Sequence, residues 1–401
     1  MTPIRKAFIA LALAAFAFQF SFGLSRSVQT NFIVEVIGLR ADEMGWLTAL
    51  REVLGLAGFV LAAITMRFAP QKVAAACFAI MAFGYATYGY ATTFSTLYPA
   101  VMIASAGFHL WIPISEAFGL SIGRQENAGQ TLGRIVSIGF AASLTAMLLV
   151  LLTISTPAQS EPMLPLVPIE LGYRETFFAS GFILILGLIA ILFFPRELGS
   201  AEREQSMVFK RRYNLYYVLN FLDGCRMEVF QAFGVYLLVR IYQIDVRTMT
   251  ILFIVSSVLN MVLSPSVGKL IDTVGERPTL TFSYAILFFI FLGFVFFPSA
   301  QIAMGLYVLY NVVLLFSIGI RTYLKRIAPG RDVRPTLAMG LTTMHISAVI
   351  LPPLGGVLWE SFGYQLPFLL GAFFILASII ATQRIPLRRQ SVPDTAPSAA
   401  S

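Results

Sequence analysis

Twelve apolar stretches, each long enough to cross a bilayer as a helix, divide the 401-residue sequence almost from end to end. A membrane helix takes about 20 largely apolar residues, because the hydrocarbon core is about 30 Å thick and each residue rises about 1.5 Å. By that measure the stretches fall at 7–37, 43–66, 73–90, 97–122, 131–153, 176–194, 213–241, 248–271, 279–297, 301–324, 336–358 and 364–382. Inside lipid the backbone must satisfy its own hydrogen bonds, which leaves helices and closed barrels. Runs of this length are those of helices. The spacing predicts an all-α integral membrane protein with twelve transmembrane helices, numbered here as spans one to twelve. Composition agrees: 58% of residues are hydrophobic and 12% charged, about half the charge of a soluble domain. The formal net charge of +8 would point to nucleic acid in a soluble protein. Here no nucleic-acid partner is expected, and the placement of the charges matters more than their sum.

That placement is lopsided. With the N-terminus inside, 20 of the 28 Lys and Arg residues fall on the side of the two termini, 4 fall on the other side, and Arg26, Arg51, Arg226 and Arg321 lie within spans. The positive-inside rule then puts both termini in the cytoplasm of a multi-pass cell (inner) membrane protein. Residues 196–212 are charged and carry no apolar run, so they read as a cytoplasmic linker between bundles at 1–195 and 213–387. The Pro-, Ser- and Ala-rich residues 388–401 read as a disordered tail. Pro157, Pro162, Pro165 and Pro168 make the connection between spans five and six irregular. Arg5, Lys6 and the Ala15-Phe16-Ala17 triplet have the look of a cleaved leader, but the repeat below needs this segment as its first span. Cys77 and Cys225 sit in apolar runs, and the two histidines are too few for a His-rich site, so no disulfide framework and no metal or other cofactor is expected.

The two halves are copies. Gly172-Tyr173-Arg174 with Phe177 matches Gly363-Tyr364-Gln365 with Phe368 at a displacement of 191 positions. Thr131-Leu132 matches Thr336-Leu337 at 205, and Arg26 precedes Arg226 by 200. The span order is kept while the loops differ in length, which argues for two pseudosymmetric six-helix bundles. Between spans eight and nine the chain reads GKLIDTVGERP, with Gly268, Leu270, Asp272, Gly275 and Arg277 in register. That stretch resembles the signature loop of the major facilitator superfamily of transporters. The resemblance implies a gating role for Gly268, Asp272, Gly275 and Arg277, and a protein that works as a monomer. The first-half counterpart, ITMRFAPQKV, has Met66 where the acid would stand, which argues against a charge latch between spans two and three.

In this superfamily the central cavity is lined by spans one, four, seven and ten, and those spans carry Arg26, Glu116, Asp223, Arg226, Glu228 and Arg321. A buried ionisable group faces a cavity or a partner by default, because lipid cannot solvate it. At ~100° per residue, Arg26, Gln29 and Thr30 share a face of span one, and Asp223 and Arg226 can pair on span seven. One reading makes Asp223–Arg226 a neutralising pair. The other makes Arg26 and Arg226 converge on an anion, with Gln29, Thr30, Asn220, Gln231 and Arg321 completing a substrate-binding set. Guanidinium suits that task, since it stays charged and offers a planar fork of donors. Paired arginines on spans one and seven resemble the organophosphate–phosphate antiporters of the superfamily, in the chemistry of these two positions only.

Arg51 and Glu52 are adjacent and do not face each other on an ideal helix, so one of them is expected to reach Glu35 or Arg26, within a charge network between spans one and two. His109 and His345 are either interior histidines held by hydrogen bonds or proton relays. No phosphate-binding loop, nucleophile elbow or zinc-binding His-Glu-x-x-His is present, which argues against ATP use and enzymatic hydrolysis. The expected function is secondary transport of a small solute by alternating access, driven by a coupling ion or by exchange, with Glu116 and Asp223 as candidate proton carriers. Two alternatives compete. One is a drug or metabolite exporter, although span five lacks a Gly-Pro-x-x-Gly-Gly stretch. The other is a transporter-shaped sensor or assembly factor that moves nothing.

Overall fold

A computed structural model describes residues 2–57, 68–122, 128–155, 171–195, 197–198 and 209–387. The far end of span two, the prolines between spans five and six, most of the linker and the tail lie outside the described residues. Span one is the helix Pro3–Phe32, started by Thr2, whose side chain accepts from the Arg5 amide, and by Pro3, whose fixed φ suits a first turn. It runs on through a single π turn, Ile33–Ile37, and stops at Gly38. Spans two to six are Ala41–Leu56, Pro70–Tyr88, Phe94–Ile122, Ala128–Thr153 and Tyr173–Leu192. Spans seven to nine are Asn214–Arg240, Val246–Val274 and Glu276–Phe296. Span ten is broken: Ala300–Val313, a 3₁₀ turn at Leu314–Ser317, then Ile318–Ile327. Spans eleven and twelve are Gly330–Phe362 and Gln365–Thr382.

Among the described residues, nine helices are long and apolar enough to cross a membrane. Of the three spans outside that number, span two is described over 16 residues only, Ala41–Leu56, while span three opens on Gln71 and Lys72 and span seven carries Asp223, Arg226 and Glu228. Large apolar side chains cover the outside, with Phe140 66%, Phe289 69%, Phe373 62% and Ile380 68% exposed. Such a surface is stable only against lipid.

Span one packs on spans five and six, and span three on spans four and six. In the other half span seven packs on spans eleven and twelve, and span nine on span twelve. The two halves meet along spans two and eleven and along spans five and eight. The contact of spans two and eleven depends on small residues, as helix contacts in lipid do. A Cβ built on Gly45 would stand 2.2 Å from the carbonyl oxygen of Pro352, so no side chain fits there. Span eight ends at Gly275 with φ +94°, a conformation that glycine adopts without strain, and span nine begins at the next residue.

Candidate functional site

The halves are tied together at the end of the bundle away from the termini. Asn31 Nδ2 donates to Glu35 Oε1 at 2.8 Å and across the seam to the Ile244 carbonyl at 2.9 Å. Tyr173 OH donates to the other oxygen of Glu35 at 2.6 Å, which fixes that carboxylate. Tyr236 OH donates to the Leu39 carbonyl at 2.8 Å, and the Ala41 amide to Glu360 Oε1 at 2.7 Å. Arg247 Nη2 reaches the Ile154 carbonyl at 3.2 Å, closing spans five and eight at the same end. Toward the termini, spans five and eight are accessible round most of their circumference, from Gly133 to Ala141 and from Met261 to Leu270. The seam therefore opens as a cleft toward the end where the termini lie.

Arg26 is exposed within this cleft. Its guanidinium carbon lies 5.0 Å from the ring centre of Phe253 on span eight, and the Tyr307 hydroxyl of span ten is close by. Asn311, one turn further along span ten, donates to the Tyr307 carbonyl at 2.8 Å. No carboxylate lies within ion-pair distance of Arg26 among the described residues. A side chain from one half thus presents a charge to an aromatic wall supplied by the other.

Arg226 does not share that position. It is 0% exposed, forms a buried ion pair with Asp223, donates to Ser317 Oγ at 3.0 Å and lies 5.5 Å over the ring of Tyr284. Ser317 closes the 3₁₀ turn that breaks span ten, so the guanidinium is docked at a helix break inside its own half. Arg26 and Arg226, expected from the repeat either to converge on an anion or to leave Arg226 neutralising Asp223, do not meet in this structure: one faces a cleft and the other, paired with Asp223, a core. Of the remaining expected substrate-binding residues, Gln29 faces Tyr88 and Thr30 is half-buried. Asn220 donates to the Tyr216 carbonyl at 2.8 Å, Arg321 is exposed near Tyr216, and Gln231 is exposed. Glu116, expected as a proton carrier, is exposed on span four, while Asp223 is 4% exposed.

In the stretch expected to act in gating, Arg277 at the start of span nine donates through Nη2 to Gln383 Oε1, just past the end of span twelve, at 3.0 Å. Glu276 pairs with Arg326 of span ten at 3.3 Å. A Cβ on Gly268 would meet nothing within 4 Å, and Asp272 is exposed. These ties bind the start of span nine to its own half.

A second cluster sits in the seam itself. Glu52 of span two accepts from Arg51 Nε and Nη2 at 3.1 and 3.0 Å. The expectation that neighbours on a helix cannot meet is corrected here, because the long guanidinium arm curls back onto the adjacent carboxylate. The other oxygen, Glu52 Oε2, is 3.2 Å from His345 Nδ1 of span eleven, in the opposite half. His109 of span four stands edge-on to His345, with ring centres 5.8 Å apart. Both imidazoles fit because residue 55 is glycine: a Cβ there would lie 2.7 Å from His345 and 2.8 Å from His109. The lone histidines were visible in the sequence, but nothing local paired them with Glu52. Among the described residues no group of three or more His, Cys, Asp or Glu side chains is arranged to hold a metal ion.

Three comparisons bear on this architecture. Compared with curated protein sequences, the chain has no match. The structure superposes on the nucleoside transporter NupG with a TM-score of 0.73 at 14% identity, over 94% of this chain and 98% of that one. It is similarly close to a bacterial homologue of the human lysosomal transporter Spinster, at TM-score 0.73 and 13% identity over 96% and 98% of the two chains. Against the D-xylose–proton symporter the values are 0.72 and 12%, over 96% and 99%. Identities this low show the shared fold. Residues 11–323 match the sequence family itself, so this twelve-span chain with its two packed halves belongs to the Major Facilitator Superfamily.

Proposed function

We propose that the chain is a secondary transporter that carries a small organic anion between its halves, and that Arg26 is the residue that holds the anion. The observation that carries this reading is the guanidinium of Arg26, exposed in the cleft beside Phe253 and Tyr307 of the other half and without a carboxylate partner among the described residues. A guanidinium at membrane depth is costly unless water or a partner solvates it, and an anion entering the cleft supplies that partner by a bidentate contact. Because its neighbours come from the opposite half, a bound anion would bridge the two and bias their rocking. Arg321, exposed near Tyr216, is a second point of contact, and Gln29, Thr30, Asn220 and Gln231 are secondary candidates. The Lys and Arg asymmetry supports a cytoplasmic position for both termini in the cell membrane. With the termini there, the cleft of this conformation faces inward. The protein works as a monomer, without a cofactor, and is driven by an ion or exchange gradient.

The test is thermal stabilisation of purified protein by a panel of organic anions, cations and neutral sugars. At ~100 times its dissociation constant a ligand adds about 2.7 kcal/mol to the folded state. Stabilisation by one anion class, lost in Arg26→Gln and partly kept in Arg26→Lys, is the expected result. Stabilisation by cations or apolar drugs, unchanged in Arg26→Gln, would replace this reading with that of an exporter.

A further inference from the structure

The cluster around Glu52 takes no part in the anion contact above, and its charges do not balance without a proton. Arg51 supplies one positive charge, while Glu52 and Glu228 supply two carboxylates. Glu228, on span seven, lies within electrostatic reach of both Arg51 and Glu52. Glu228 is 5% exposed and its Oε2 is buried without a hydrogen-bond donor among the described residues. A proton carried by His345, by His109 or by the buried Glu228 carboxyl makes up the missing charge. At this depth an unbalanced charge is costly, so the arrangement favours one proton more than Arg51 alone provides. The remaining facing groups are hydroxyls. Ser105 of span four donates to the Arg51 carbonyl at 3.1 Å, and Tyr85 and Tyr88 of span three approach Arg51 with hydroxyls.

The proton sits where it can act. Glu52 belongs to one half and His345 to the other, and the 3.2 Å contact between them crosses the seam along which spans two and eleven pack. With His345 protonated the contact is a charge-assisted hydrogen bond that holds the halves together. With the proton gone, two carboxylates face one guanidinium and the seam loses its central tie. We infer that Glu52, His345, His109 and Glu228 form a proton-binding site in the seam between the halves, and that its occupancy sets the balance between the two open states. This deepens the transport reading above, on which it rests for its purpose: it makes the proton the coupling ion and moves its site from Glu116 and Asp223 to the seam.

The experiment measures the separation of the halves against pH without any solute. Val136 of span five and Val262 of span eight, 54% and 61% exposed, are changed to Cys and spin-labelled. Cys77 and Cys225, both buried, are changed to Ala, and the protein is placed in lipid nanodiscs. Distance distributions are then recorded from pH 5 to 9. In the otherwise unaltered protein the ratio of the two populations should shift with pH, by at most about tenfold per pH unit for one linked proton. In Glu52→Gln and in His345→Gln that dependence should shrink to less than about twofold over the whole range. Gly55→Ala, which removes no titrating group but displaces both imidazoles, should move the midpoint and keep the amplitude. Melting curves of each variant exclude misfolding as the cause. A pH-independent distribution in the starting protein would overturn the proposal, as would an unchanged response in both Gln variants. Anion stabilisation that depends on Arg26, together with a flat pH profile, removes the proton site and leaves the transport reading. A pH response without anion binding does the reverse.

Discussion

Two arginines at matching positions of a repeat have opposite environments, and burial decides what each can do. Arg226 is 0% exposed and Asp223 4%, and the two are bound to each other. Removing one member of a buried ion pair leaves the other charge without solvation or partner, at a typical cost of about 3–5 kcal/mol. Arg226→Ala should therefore lower unfolding stability by that amount. The double variant Asp223→Asn/Arg226→Gln, which removes both charges and keeps the shape, should lie within about 1–2 kcal/mol of the starting protein. Arg26→Ala, at an exposed position, should change stability by less than about 1 kcal/mol. Unfolding curves in detergent compare the three directly. An Arg226→Ala protein as stable as the starting one would show that Asp223 reaches water after all. The sequence could pair Asp223 with Arg226, since three residues of helix bring them together. It could not tell that the pair faces Tyr284 and Ser317 rather than the cleft, because those neighbours belong to spans nine and ten.

At the scale of elements the linker ends in an anchor. Asp332, 3% exposed at the start of span eleven, accepts from Lys210 Nζ at 2.6 Å and from Tyr213 OH at 2.7 Å, and pairs with Arg212. Lys210 and Arg212 are 37% and 53% exposed at their side chains, so solvent weakens each pair. Together with the tyrosine bond the anchor is worth about 1–2 kcal/mol. Asp332→Asn should free the segment, and trypsin should cut after Lys210–Arg212 about five to thirty times faster under native conditions. Unchanged cleavage would mean that Asp332 does not hold it. The spans themselves were legible because one property, apolar length, decides them. All twelve expected stretches overlap described helices; the far end of span two lies outside the described residues, and the other ends are displaced by no more than about six residues, where caps such as Thr2, Asp245 and Gly275 decide. The 3₁₀ break at Leu314–Ser317 was not legible, since no Pro or Gly lies within it and the partner that meets its last residue, Arg226, comes from span seven.

For the whole molecule, what the sequence left out is the relation between the halves. Glu52 and His345, or Ala41 and Glu360, meet only once the bundles are assembled, and neither pattern nor spacing encodes that meeting. Yet opening either end of the bundle means breaking such contacts. At the closed end Glu360 of one half caps the N-terminus of span two in the other, and Asn31 reaches the Ile244 carbonyl. Each such bond contributes about 1 kcal/mol net. As independent ties they add, so removing both shifts the balance of the two states by about 2 kcal/mol, or about thirtyfold. Met44, 9% exposed on span two, stands next to Gly45, which meets Pro352 across the seam, and should be reached by water-soluble thiol reagents only when the end opens. In a Met44→Cys protein lacking Cys77 and Cys225, labelling should therefore be slow. Adding Asn31→Ala and Glu360→Ala should accelerate it by about ten- to thirtyfold, with each single change giving roughly fivefold. Acceleration by neither would mean that apolar packing of spans two and eleven, rather than these two bonds, holds this end shut.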